Sequence, residues 1–340
     1  MSRIPVLLRY CGLFVAAVLA CSAFAQETFF TCLEQRPPDR IDFMCNWDSL
    51  IAPANGDREW DGLVRIIKGD SIQEWQAQLS TRGKYRRMHC HFPPIEINLK
   101  KGALRKQHLL EFDKLKVVTH CNATETESED LMEELLVYKL YNILTPQSFH
   151  IIPVSARYLN EDGAPYISDA TALIIEPTDE LAVRTGSQER EGFNISPDSL
   201  DPDSYCRNAL FQFMVGNADW SQVLQKNIKL MGQPGRYHVV PYDFDFSAIV
   251  MPGYARLVSE HGQADFRDRV YLGQYFDDRL PATIKEFQAR KDEILAFVDT
   301  FEILSKKRRR EIMIYLRDFF FYIKTEGEDM TYGTIQPYKG

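Results

Sequence analysis

The spacing of apolar residues changes character about halfway along the chain. In the first half it is mostly of period two. Leu63-Val64-Arg65-Ile66-Ile67 reads as a strand closed by Gly69, Ile95–Leu99 alternates apolar and polar, and Lys114–Thr119 gives a third strand. Ser128–Leu144 breaks this rhythm, because Met132, Leu136, Leu140 and Ile143 recur at helical spacing until Pro146 stops the run. Phe149–Tyr158 and Tyr166–Ile175 are strands again, joined by a turn at Asn160-Glu161-Asp162-Gly163. The second half is mainly helical. Ser204–Val215 predicts an apolar helix ending at Gly216-Asn217-Ala218-Asp219. Asn227–Met231 and Tyr237–Pro241 predict a hairpin around Gly232-Gln233-Pro234-Gly235. Beyond Gly262 helix prevails, and Ile312, Tyr315, Leu316, Phe319, Phe320 and Ile323 form one broad apolar face on the last long helix. The basic run Lys306–Arg310 at its start reads as a solvated face.

A length of 340 residues suits one large domain or two smaller bodies. With 45% hydrophobic and 26% charged residues, the composition excludes wholesale disorder, collagen and coiled coil. Residues 1–25 read as a signal peptide: Arg3 and Arg9, then the uncharged run Cys11–Leu19, then Ala23-Phe24-Ala25 as a small-x-small cleavage site. Val18-Leu19-Ala20-Cys21 is a second-ranked alternative, a lipoprotein box that would tether the chain through Cys21. The mature chain is expected to be exported, either periplasmic or secreted. No later stretch reaches eighteen apolar residues, so no transmembrane segment is expected. Loss of Arg3 and Arg9 moves the formal charge from −8 to −10, which argues against general binding to nucleic acid or anionic membrane. In an oxidising compartment, disulfides Cys32–Cys45 and Cys90–Cys121 become possible, with Cys206 buried in a helix. The sequence His89-Cys90-His91 does not argue for zinc, because a strand would point the two His away from the Cys and no second ligand pair follows.

The candidate chemistry falls between residues 216 and 247. Asp219 sits on a loop after a buried helix, Asn227 opens a strand, and Asp243 and Asp245 follow the next strand. A hairpin brings loop and strand end together although 24 residues separate Asp219 from Asp243. In such a layout one Asp accepts a hydroxyl proton, while an Asn carbonyl and a second Asp offer the hard oxygens that Mg²⁺ prefers. One acid cannot do both, since a metal-bound carboxylate is a weak base.

Asn217-Ala218-Asp219-Trp220, then Asn227, then Pro241-Tyr242-Asp243-Phe244-Asp245 resembles the signature of the spore-coat CotH-type atypical kinases, and HipA-type kinases have a related pattern. Upstream, Arg82-Gly83-Lys84 with the Ile95–Leu99 strand is similar to the CotH Arg-Gly segment and the strand after it. Lys116–Thr119 with the 128–144 helix resembles the third strand and C helix of a kinase, and Thr171–Ala182 a last strand entering a hinge. The resemblance implies an α+β, two-lobed protein-kinase-like fold. Its small lobe, 26–176, would be an antiparallel sheet with one helix, and its large lobe, 177–340, would be mainly helical. It further implies a phosphotransferase using ATP with Mg (or Mn). Asp219 would be the base, Asn227 and Asp243 the metal ligands, and Asp245 a further ligand or a residue that positions the loop. Arg82 would cover the phosphates, either Lys116 or Lys100 would hold the nucleotide, and Glu133 or Glu134 would be that lysine's partner. Arg256, Arg267 and Arg269 would suit an acidic or phosphorylated protein or small-molecule acceptor. Two other readings stay open: a catalytically silent binding module of the cell envelope, and a metal-dependent phosphoester hydrolase.

Overall fold

Period-two patterning produces a curved sheet whose two edges meet. The computed structural model describes residues 27–338 apart from Asp57, 123–124 and 258–260, so the expected signal peptide 1–25, with Cys21, lies outside the described residues. The barrel strands are β1 (Arg40–Met44), β2 (Trp60–Lys68), β3 (Ser71–Thr81), β4 (Ile95–Leu99), β5 (Lys114–Val118), β6 (Ile151–Leu159) and β7 (Pro165–Ile175). They close in the order β1-β2-β3-β4-β5-β7-β6. Every neighbouring pair is antiparallel except β1 with β6, which run parallel. A ring of seven strands cannot alternate direction all the way round, so one such pair is a geometric necessity.

That seam is ionic as well as hydrogen-bonded. Asp42 of β1 is 1% exposed and stands in register with Arg157 of β6, whose guanidinium donates to both of its carboxylate oxygens at 3.1 and 2.6 Å. Arg40 adds a third bond at 2.7 Å. The barrel core draws on all seven strands, among them Phe43, Val64, Leu79, Ile97, Val117, Tyr158 and Ile174.

Closure overturns the expected two-lobed, protein-kinase-like α+β fold with an antiparallel-sheet small lobe and a single helix. The seam strand β1 escapes the sequence reading, although Arg40-Ile41-Asp42-Phe43 alternates polar and apolar. Among the described residues five α-helices accompany the barrel strands instead of one: α1 (Phe29–Gln35), α2 (Trp47–Ile51), α3 (Lys84–His89), α4 (Lys101–Lys106) and α5 (Glu125–Leu144).

Helix α5 packs on β6 and β7 and also on α8 (Leu280–Thr300), so it joins the barrel to the helices that follow. Those are α6 (Thr178–Arg184), α7 (Pro202–Val215), α8 and α9 (Lys306–Thr325), with a small sheet of β8 (Gln188–Glu189), β9 (Ile228–Gln233) and β10 (Arg236–Pro241). Asp201 caps α7 by accepting from Ser204 N, and Gly216 ends it in the left-handed conformation. The expected apolar face of α9 is buried throughout. Its basic start is not wholly solvated, because Arg308 ion-pairs with Glu133 of α5 and with Glu311. Among the described residues no helix is long and apolar enough to cross a membrane.

A disulfide joins Cys90 to Cys121, tying the end of α3 to the segment before α5. The expected Cys32–Cys45 bridge does not form. Cys32 lies on α1, where its thiol bonds to Glu27, and the buried Cys45 donates to the carbonyl of Asp61.

The N-cap of α1, Thr28, donates to Glu180 of α6 at 2.6 Å. Burial pushes the Glu180 carboxyl up to about 7, with the Thr28 bond opposing the shift. A raised carboxyl pKa keeps the proton on the folded chain after the unfolded chain has lost it. The contribution of Glu180 is therefore full below pH 4.5 and lost as pH rises through about 7. In urea unfolding at about pH 5 and about pH 8, Glu180→Gln should flatten this decline, by on the order of 3 kcal/mol at most. An unchanged pH dependence would mean that Glu180 titrates alike in both states.

Candidate functional site

The hairpin of β9 and β10 fixes the site. Its ladder ends with Ile228 opposite Pro241, and one more bond, Tyr242 N to Asn227 O at 3.0 Å, sets Asn227 beside the Tyr242-Asp243 turn. The loop after α7 is tied to the same place. Ala248 N donates to Gly216 O at 3.1 Å, and Asn217 bridges to Ser247. Glycine is required where α7 ends: φ is +68°, and a Cβ would lie 2.2 Å from Tyr315 Oη and 2.6 Å from Ala248 Cβ. Asn217 Oδ1 then accepts from Asp219 N at 2.9 Å, turning the chain toward the hairpin. The Asp219 carboxylate accepts from Asn227 Nδ2 at 3.0 Å and from the Lys226 ammonium.

Asp219, Asn227, Asp243, Asp245, Glu134 and Arg82 all line one cleft of about 490 Å³. Its opposite wall comes from the barrel: Pro94 before β4, Val118 of β5 and Ile175 of β7. Asn227 and Asp243 both hold the left-handed backbone conformation, at φ +55° and +62°. Asn and Asp tolerate that region better than most residues. Asp243 is further held there because its N–H donates to Tyr138 Oη of α5 at 2.8 Å.

Three acids crowd the floor. Burial pushes the Glu134 carboxyl up to about 7, and the Asp243 charge pushes the same way. Asp245 is driven well above the ordinary carboxyl range by burial, then by Asp243 and Glu134. The cations opposing this are Arg86 and Arg82. Arg86 is only 8% exposed; it donates to Thr119 O and lies over the Tyr254 ring at 5.2 Å. Tyr254 in turn donates to Asp245 at 3.1 Å.

The other expected residues divide. Lys116 is not part of the cleft lining, but its ammonium lies over the ring of Tyr242, which is, at 5.7 Å. Burial lowers its pKa to about 8, and the charges of Arg82 and Lys229 add to the effect. Lys100 is exposed at the end of β4 remote from Pro94, and stands apart from the site. Glu133 turns to Arg308, so Glu134 is the α5 glutamate in the cleft. Among the described residues no ion pair joins Lys116 or Lys100 to either glutamate. The arginines expected to receive an acidic acceptor are also placed elsewhere. Arg269 is wholly buried, bonded to Asp318, Gln336 and Tyr315 O, while Arg267 pairs with Asp265 and stacks on Tyr338. Arg256 is exposed and outside the cleft.

Sequence reasoning passed over Arg86, Tyr138, Lys226 and Tyr254. Arg86 had a visible signal, the run Arg82-Gly83-Lys84-Tyr85-Arg86-Arg87, in which one short helical turn brings a second arginine to the cleft.

The donor set can be tested against a divalent cation. Among the described residues, no three His, Cys, Asp or Glu side chains are arranged to hold a metal by themselves. Mg²⁺ does not require that, since it commonly takes one or two carboxylates and leaves other positions to phosphate oxygens and water. Crowded, under-neutralised carboxylates beside an Asn carbonyl fit such a cation. No protein-family model matches the chain, and no curated protein matches it in sequence.

If the acids destabilise one another as described, removing one charge should strengthen the fold. Asp243→Asn keeps a residue that tolerates the left-handed backbone and relieves both Glu134 and Asp245. It should stabilise the metal-free protein by about 1–2 kcal/mol at neutral pH in chemical denaturation. A loss of stability would show that the cations already balance the cluster.

Proposed function

We propose that the protein is an exported phosphotransferase that uses ATP with a divalent cation, working in the cleft between the barrel and the β9–β10 hairpin. The observation that carries this reading is the convergence of Asp219, Asn227 and Asp243 on one cleft whose remaining charges are the acids Glu134 and Asp245 and the cations Arg82, Arg86, Lys84 and Lys226. Asp219 is the base. Asn227 Nδ2 holds one carboxylate oxygen and Lys226 the other, so an incoming hydroxyl that displaces the lysine meets an oriented oxygen. Asp243, with Asn227 and Asp245, would hold Mg²⁺ or Mn²⁺. When bound, that ion would screen phosphate charge and relieve the crowded acids.

Arg82 and Arg86 stand on the barrel side for the phosphates. Lys116 and Lys229 add positive charge near Tyr242. In the transfer, the acceptor hydroxyl loses its proton to Asp219 and its oxygen bonds to the terminal phosphorus. The bond from that phosphorus to the bridging oxygen breaks, and ADP leaves. The Cys90–Cys121 disulfide supports an oxidising compartment, in line with the leader read at residues 1–25.

One observation favours a second reading, a module that binds nucleotide without transferring it: the Lys226 ammonium already occupies Asp219, and an ion-paired Asp is a weaker base.

Thermal unfolding with and without ATP and Mg²⁺ tests the proposal. Near-saturating ligand should stabilise the chain by about 2–3 kcal/mol, a rise of several degrees, and Asp243→Asn should abolish the rise. Asp219→Asn should keep the rise and lose phosphate transfer. Transfer by neither protein, with the rise intact, would favour the silent module. Phosphate release without an acceptor would favour the hydrolase, and no nucleotide-dependent rise would remove the proposal.

A further inference from the structure

Asp219 and Lys226 border two spaces. One is the charged cleft. The other is a smaller pocket of about 200 Å³, whose walls include Tyr205, Trp220, Gln222, Gln274 and Tyr332. The chemistry of the two differs. The cleft collects arginines and crowded acids, whereas in the pocket Asp219 and Lys226 pair with each other and, among the described residues, no arginine or further carboxylate lines it. The rest of the lining is aromatic rings, side-chain amides, the Ser221 hydroxyl and aliphatic carbons. None of the arginines expected to meet an acidic acceptor reaches it.

We infer that this pocket takes the phosphate acceptor, and that the acceptor is an uncharged monosaccharide unit offering a free hydroxyl to Asp219. The inference rests on the phosphotransfer reading and adds the substrate class. Size is the first argument. The volume equals roughly six or seven waters at liquid density, which suits a single sugar ring and is too small for an extended peptide. Lining is the second. A sugar ring has apolar C–H faces and a hydroxyl edge, and aromatic walls with a few amides match both. Charge is the third, since a neutral pocket gives an anionic or cationic acceptor nothing to offset its lost hydration. In the step, the sugar oxygen forms the new bond to the terminal phosphorus of ATP, its proton passes to Asp219, and ADP departs.

The test uses the full chain with ATP and Mg²⁺. Glucose, galactose, mannose and N-acetylglucosamine are offered alongside the corresponding uronic acids and seryl and tyrosyl peptides, and phosphorylated products are read by mass spectrometry. Saturation-transfer NMR measures binding of the same sugars without nucleotide. At least one neutral sugar should bind and be phosphorylated, and the acids should not. Gln274→Ala and Tyr332→Ala alter exposed residues at the mouth, so the fold should persist. Each should raise the KM for sugar about tenfold, equivalent to about 1.4 kcal/mol, while the rise in unfolding temperature with ATP and Mg²⁺ stays unchanged. Nucleotide binding without any sugar binding, or phosphorylation of a peptide in place of sugars, would overturn the inference and leave the phosphotransfer reading standing. Sugar binding without nucleotide binding would do the reverse, keeping a saccharide pocket and removing the transfer.

Discussion

The site depends on a repulsion. Glu134, Asp243 and Asp245 share one poorly hydrated place, and two arginines from a different part of the chain oppose their charge. Left alone, buried like charges protonate or push apart. Here separation is blocked, because each acid is held by structure that serves something else, and the repulsion shows instead in the raised carboxyls of Glu134 and Asp245. Glu134 is fixed by α5, which packs on both the barrel and α8. Asp243 is fixed by the hairpin register and by Tyr138, and Asp245 by Tyr254. Backbone strain at Asn227 and Asp243 belongs to the same account, since strained residues persist only where their surroundings over-determine them. A group of acids kept together against its own charge is poised for a cation.

The scaffold makes that confinement possible. A closed barrel has no free edge along which strands can slip, so β4, β5 and β7 present a fixed wall to the cleft. The parallel seam between β1 and β6 is where closure could fail, and the Asp42–Arg157 pair sits there in register. Across the cleft, the walls from α7 and the hairpin grow out of a second apolar core. Helix α3 and its arginines hang between the two, tethered by Cys90–Cys121 and by Tyr85 donating to Tyr254 O. Arg86 therefore reaches the acids as part of a braced segment.

What the sequence made legible follows from which interactions are local. Strands β4 to β7 and helices α5, α7 and α9 were readable because their burial repeats with the period of their own backbone. Closure was not, because it hangs on β1, a five-residue strand whose Asp42 is buried only by virtue of an arginine 115 residues away. The meeting of Asp219, Asn227 and Asp243 was legible through the hairpin, since Asn227 and Asp243 flank two short strands and their approach is a matter of register. The lysines were harder. Lys100 and Lys116 both stand on strands that border the cleft, and spacing alone does not reveal which end of a strand faces it. Arg269 misled for a related reason, as a charge in a sequence looks available until the carboxylate and carbonyls that absorb it are seen.

The same distinction bears on whether Asp219 can act as a base. Its pairing with Lys226 looks at first like a lock. Yet the lysine is 52% exposed and rises from a turn, while the carboxylate is 15% exposed. Ion pairs with one partner so open to solvent contribute about 0–1 kcal/mol, small beside the thermal freedom of a four-carbon side chain. The bond from Asn227 is different in kind, for that residue is fixed in the hairpin and donates to both the carboxylate and the backbone carbonyl of Asp219. Asn227 therefore sets the orientation of the carboxylate, and Lys226 is the partner that can yield when a hydroxyl arrives. Standing between a charged cleft and a neutral pocket, Asp219 is placed where the two halves of a transfer would have to meet.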